Sequence, residues 1–180
     1  MKKELFQIIE IPEGVEIEID GNMLKIKGPE GENSRKFNTN KLIFEKKDEK
    51  IIIGSKKATK REKKMMNTIA KHIKNMISGI QKKFKYKLKA CFSHFPISVV
   101  IKENELIIKN FLGEKKDRVY KIPNKVDISV DKDIITVSSH DKELAGQSAA
   151  DIEKITSIRL RDRRIFQDGI FITNKAGKNI

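Results

Sequence analysis

The chain has one cysteine, Cys91, no tryptophan, and only three histidines among 180 residues. A single cysteine cannot close an intrachain disulfide or build a cysteine-based zinc cluster. No stretch approaches the roughly 18 consecutive apolar residues that a membrane-crossing helix needs. The first residues, Met1-Lys2-Lys3-Glu4-Leu5-Phe6, lack an apolar signal core, so a cytoplasmic location is expected. Aromatic residues make up 6% of the chain, poor material for a surface that stacks successive bases of a single strand. Catalytic material is equally thin. Ser139-His140-Asp141 has the residue types of a hydrolytic triad, but sequence neighbours do not reach triad geometry. Asp131, Asp133 and Asp141 occupy turn-like positions with no histidine to complete a metal site.

Positive charge is abundant. Lys and Arg number 39 against 25 acids, a net +14 with pI ≈ 9.7. Small neutral substrates do not call for such an excess; a polyanion does, and in the cytoplasm that points to nucleic acid.

The sequence also repeats itself. Residues 17–26 resemble 99–108, and each stretch is followed by Gly-Glu, at Gly31-Glu32 and Gly113-Glu114. Asn40-Lys41 and Asn124-Lys125 then lead into apolar alternation, and Pro12 and Pro96 open the two copies. A duplicated unit follows, with domains over 1–82 and 83–180. Period-two alternation predicts strands over 15–19, 23–27, 42–45 and 51–53 in the first copy. In the second it predicts 98–101, 105–109, 119–122, 127–130 and 134–138. Each copy then closes with a helix. Thr59 to Glu62 reads as a capping box, with Met66, Ile69, Ile73 and Ile80 at helical spacing and Gly79 as the stop. In the second helix Ala145, Ser148, Ala149 and Ile152 form a narrow face that lets it lie close on a sheet. The expected fold class is α+β: two tandem copies of an antiparallel β-sheet packed against one α-helix.

Four segments present cations. In residues 83–89 lysine alternates with Phe84, Tyr86 and Leu88. A strand there puts Lys83, Lys85, Lys87 and Lys89 on one face, either to follow a phosphate backbone or to protect a sheet edge. In residues 158–166 arginine replaces the lysine favoured elsewhere. If this stretch is extended, Arg159, Arg161 and Arg163 share a face, Arg164 follows, and Ile158 and Leu160 anchor the other side. Arginine's planar fork suits phosphate. Lys115, Lys116 and Arg118 read as a basic hairpin tip. Lys175 and Lys178 lie in a polar tail, 174–180, expected to be mobile.

These residues coincide with a known pattern: Ile11-Pro12-Glu13-Gly14-Val15, Lys27-Gly28-Pro29-Glu30-Gly31, Asn75-Met76-Ile77, Ser93-His94-Phe95-Pro96-Ile97, Asn110 through Lys115, Gly146 through Ala150, and Asp162 through Ile170. The chain resembles the family of large-subunit ribosomal protein six in its archaeal and eukaryotic branch, most like the archaeal form. The resemblance implies binding to large-subunit ribosomal RNA, mainly through the second domain. It places the protein near the sarcin–ricin loop and the stalk base, beside neighbouring ribosomal proteins and where translation GTPases dock, with no catalysis and no cofactor. Two other readings compete: a free, sequence-tolerant RNA-binding module, and a small metal-dependent nuclease using Asp131, Asp133 or Asp168.

Overall fold

The computed structural model describes residues 3–39, 42–47, 50–162 and 164–180. It divides into two compact units, Met1–Lys83 and Phe84–Ile180.

The first unit runs β1 (Lys3–Glu10), β2 (Glu16–Asp20), β3 (Met23–Gly28), β4 (Gly31–Lys36), β5 (Ile43–Lys47), β6 (Lys50–Ala58) and α1 (Lys60–Gln81). The strands form two antiparallel sheets, ordered β1-β6-β5 and β2-β3-β4. Alternation does what it predicts in β2 and β3: Ile17, Leu24 and Ile26 are buried while Glu16, Glu18, Lys25 and Lys27 face water. In α1 the capping box is present, with the Thr59 side chain accepting from the Arg61 N–H and the Glu62 carboxylate accepting from the Thr59 N–H. Met66, Ile69, Ile73, Met76, Ile77 and Ile80 bury one stripe of the helix. Full burial of a side chain such as Ile73 or Ile80 contributes about 1.5–3 kcal/mol. The helix does not stop at Gly79. That glycine is buried on the packed face between Met76 and Ile80, and the helix continues to Gln81.

The second unit repeats this order: β7 (Phe84–Cys91), β8 (Ser98–Lys102), β9 (Glu105–Lys109), a 3-10 turn (Phe111–Gly113), β10 (Arg118–Lys121), β11 (Asp127–Asp131), β12 (Ile134–Ser139) and α2 (Lys142–Ile155). Its small sheet, β8-β9-β10, answers β2-β3-β4, and β7-β12-β11 answers β1-β6-β5. Two strands are added after α2: β13 (Gly169–Lys175) and β14 (Lys178–Asn179). They pair on the far side of β7, giving the order β11-β12-β7-β13-β14. The small residues of α2 act as expected: Ala145 and Ala149 are fully buried, and Gly146 lies against the Tyr86 hydroxyl.

Three further expectations change. β7 is a central strand, flanked by β12 and β13, so its lysines do not protect an edge. The tail from Asn174 is a folded hairpin, turned at Ala176 and Gly177, whose positive φ values of 49° and 95° and an Asn174 side-chain bond close the turn. The described residues of 158–166 form no strand; they lie in the loop between α2 and β13.

Candidate nucleic-acid interface

The arginine loop, residues 156–168, has a pinned foot. Thr156 is buried, and its hydroxyl donates to the Glu153 carbonyl at 3.0 Å and accepts from the Ile170 N–H at 2.9 Å. This joins the end of α2 to the start of β13. At the far end, Asp168 is 2% exposed and accepts from the Ser93 N–H at 2.5 Å, the Ser93 hydroxyl at 3.0 Å and the His94 Nδ1 at 2.7 Å. Burial by itself raises the Asp168 pKa, but those donors outweigh it and hold the carboxyl below its ordinary range. His94 in turn stacks on Phe166 with ring centres 4.9 Å apart, and the Arg161 guanidinium lies 4.8 Å from the same ring. The loop is therefore clasped to residues 93–94 through one buried carboxylate and one aromatic stack.

This clasp contains serine, histidine and aspartate, but it is no nucleophilic centre. Ser93 and Asp168 both meet the same ring nitrogen, Nδ1, so the relay through opposite nitrogens that a triad needs is absent. Asp141 caps α2 instead, and Ser139 ties neighbouring backbone together. The Asp141 side chain accepts from the Glu143 N–H, and the Ser139 hydroxyl donates to the Lys125 carbonyl. Among the described residues no group of three or more His, Cys, Asp or Glu side chains is arranged to hold a metal ion.

Within the loop, Asp162 shapes a turn. Its carboxylate accepts from the Arg164 N–H at 2.9 Å and from the Arg164 guanidinium at 2.9 Å, and its carbonyl accepts from the Ile165 and Phe166 N–H groups. The Arg164 side chain, then its backbone N–H, holds the Asp162 carboxyl below the ordinary range. Arg159, Arg161 and Arg164 are exposed; Arg163 lies outside the described residues. Leu160 does not anchor the loop. It is 107% exposed with φ of 58°, while Ile158 alone reaches the core. A segment without strand pairing has no second face to bury, so alternate residues need not point alternate ways.

Arg118 is also placed differently from expectation. Its Nε and Nη2 donate to Glu114 at 2.8 and 2.5 Å, its Nη1 donates to the Ile155 carbonyl at 2.5 Å, and its guanidinium lies 4.2 Å over Phe111. It is a strut tying the β9–β10 connection to the end of α2. The Arg118 hydrogen bond pulls the Glu114 pKa down. Lys115 and Lys116, in that same connection, remain exposed.

A cleft of about 780 Å³ opens beside the strut, with Arg118, Lys154, Arg159 and Arg161 among its lining residues against Glu114 and Asp151. The structure thus brings the arginine loop and the β9–β10 connection to one place, and it adds Lys154, which the sequence reading missed. Its only signal was a basic residue in the last turn of α2. The other segments stand elsewhere on the unit. Lys85 and Lys87 are exposed on the outer face of β7, with Lys83 just before it. Lys175 and Lys178 are register partners on the β13–β14 hairpin. Tyr86 is buried beneath β7 and Phe84 half-buried, so neither ring is offered for stacking a base.

The family model "Ribosomal protein L6" matches residues 11–83 and 95–169. The chain is 42% identical over 175 residues to the "Large ribosomal subunit protein uL6" of Methanothrix thermoacetophila, covering 97% of this chain and 99% of the relative. The protein of the same name from Nanoarchaeum equitans is 44% identical over 180 residues, covering 96% and 94%. That of Methanosarcina mazei is 40% identical over 176 residues, covering 98% and 100%.

Proposed function

The chain belongs to the ribosomal protein L6 family, and on that premise we propose that its second unit anchors it to large-subunit ribosomal RNA through the arginine loop. The family gives the coarser role: a structural, non-enzymatic constituent of the large ribosomal subunit, at work in the cytoplasmic ribosome. The observation that supports the finer reading is the pinned loop. Arg159 and Arg161 stand at the rim of a cleft, on a backbone held by Asp168 at one end and Thr156 at the other. Cations held in place before binding lose less freedom when they grip phosphate. Lys115 and Lys116, the β7 lysines and the Lys175–Lys178 hairpin add charge around it. Recognition then runs through backbone and shape rather than base edges. The RNA is that near the sarcin–ricin loop and the stalk base, with neighbouring ribosomal proteins there and translation GTPases docking close by. The two units act as separate domains, the second carrying the anchor.

Tagged protein produced in an archaeal host should co-sediment stoichiometrically with large subunits through high salt. Hydroxyl-radical cleavage of the bound RNA should be reduced around the sarcin–ricin loop. Loose, substoichiometric association would overturn the reading, and protection confined to another region would overturn the proposed location.

A further inference from the structure

The two units carry the same fold, so each helix serves as a control for the other. Residues 60–81, the span of α1, hold six basic side chains and one acid. Residues 142–155, the span of α2, hold two basic side chains and three acids. The rest of 1–82 is nearly balanced, with 13 basic residues against 11 acids. Most of the first unit's net positive charge, about five of seven, therefore sits on one helix.

It also sits on one side of that helix. Lys60, Lys64, Lys71 and Lys74 follow the three-and-four spacing of a single stripe, Lys63 lies beside it, and all five are exposed. At about 1.5 Å per residue the stripe is about 21 Å long. Asn67 and Thr68 lie among the lysines and, with Asn75, line a shallow groove on the helix surface. The one acid of α1, Glu62, is turned back into the capping box. No large apolar side chain of α1 is exposed. Protein interfaces are anchored by buried aromatic and apolar groups, and this face has none to offer. It presents ammonium groups, hydrogen-bonding amides and hydroxyls and the edge of His72, the chemistry that meets phosphate and ribose.

We propose that the exposed face of α1 is a second RNA-binding surface, through which the first unit grips the sugar–phosphate backbone of a segment other than the one held by the arginine loop. The proposal rests on the ribosomal reading above but requires more, since that reading needs only the second unit to touch RNA. Two contact points on one chain raise avidity without any further contact at either.

The test uses the full chain and archaeal large-subunit ribosomal RNA as probe. One variant changes Lys60, Lys63, Lys64, Lys71 and Lys74 to Gln. Glutamine keeps helix propensity near that of lysine, so circular dichroism should be unchanged. A second variant changes the same five to Arg, which keeps the charge. A third removes the loop arginines Arg159, Arg161 and Arg164 by Ala. The Gln variant should bind at least roughly tenfold more weakly at low salt, with the slope of log affinity against log salt flattened by about two to four units. The Arg variant should keep the slope. Hydroxyl-radical footprints should show two protected RNA segments, one lost with the Gln variant and the other with the loop variant. If the Gln variant binds with unchanged affinity and slope while the loop variant fails, α1 is a solvated face and the proposal falls, leaving the anchor reading intact. If the loop variant binds like wild type, the anchor reading falls instead. Normal RNA binding by the Gln variant together with failed assembly into subunits would assign the face to an acidic protein, and would also overturn the proposal.

Discussion

At the scale of single residues, two kinds of arginine are now distinguished, and they should respond differently to replacement. Arg159 and Arg161 are exposed, so changing either to Ala should shift stability by no more than about 0.5 kcal/mol; the binding variant replaces both together with Arg163. RNA affinity should drop, with the salt slope flattening by roughly two to three units if each neutralises one phosphate. Arg→Lys at the same positions should weaken binding while leaving that slope nearly unchanged, because charge is kept and the fork is lost. Arg118→Ala should behave in the opposite way. It removes the bonds to Glu114 and the Ile155 carbonyl and the contact with Phe111. The side chain is 26% exposed, so solvent screens the ion pair and the cost is set at about 1–2 kcal/mol. Thermal melts beside binding isotherms on the two variants separate grip from strut. Asp168 is the third case. Its folded-state pKa lies below the unfolded value. Its stabilisation is therefore fully present above the ordinary carboxylate range near pH 4 and is lost as pH falls through the lowered folded value. Asp168→Asn should destabilise by roughly 1–3 kcal/mol at neutral pH. It should also flatten the acid limb of the stability–pH curve; an acid limb identical to wild type would show that the clasp does not titrate with folding.

At the scale of elements, the sequence reading succeeded where neighbours in the chain are neighbours in space. β2, β3, β5, β6 and β8 to β12 were legible from alternation, α1 from its capping box and apolar stripe, and the duplication from paired motifs. It failed where a distant partner decides. β4 has no apolar residue to alternate, and a register shift disturbs the pattern of β1 between Lys3 and Leu5. β13 was missed because its pairing with β7 shifts register between Ile172 and Asn174. The arginines stood out by residue type, but their loop was misread as a strand, because what shapes it lies 74 and 75 residues away at His94 and Ser93. The turn at Gly28 carries a further long-range constraint that the local motif hides. A Cβ at Gly28 would lie 2.3 Å from Cγ2 of Ile80, a fully buried side chain, and the Glu30 N–H donates to the Ile80 carbonyl at 3.1 Å. Glycine is there because β3 and the end of α1 touch. Gly28→Ala should cost about 1–3 kcal/mol by overpacking, read as a lower denaturation midpoint. Adding Ile80→Leu, which removes the clashing branch at Cβ, should recover part of it. A melt equal to wild type for the single variant would show that α1 yields freely at its end.

At the scale of the whole molecule, the duplication matters because the two copies have diverged in what they add to a common frame. The second copy extended its large sheet with β13 and β14 and gained the arginine loop on the way to them. The first ends at its helix and carries its charge on that helix. Each copy keeps its own core: Leu24, Ile26, Ile51, Ile53, Ile73 and Ile80 in one, Leu88, Leu106, Ile108, Ile135, Val137 and Ile170 in the other. Residues 84–180 made alone should therefore fold cooperatively and bind large-subunit RNA. They should do so with a shallower salt slope than the full chain, because the lysines of α1 are gone. Residues 1–83 alone should also fold and should bind far more weakly, since lysines on one exposed helix supply charge without arginine's bidentate grip. The intact chain should exceed the stronger fragment by more than an added weak contact gives, because the second unit holds the first at high local concentration over the RNA. Melting curves on both fragments, and binding measured across a salt series for both and for the full chain, check each step. Equal affinity of the two fragments would contradict the second unit as anchor. A fragment 84–180 with the full chain's affinity and slope would show that the first unit contributes nothing to holding RNA.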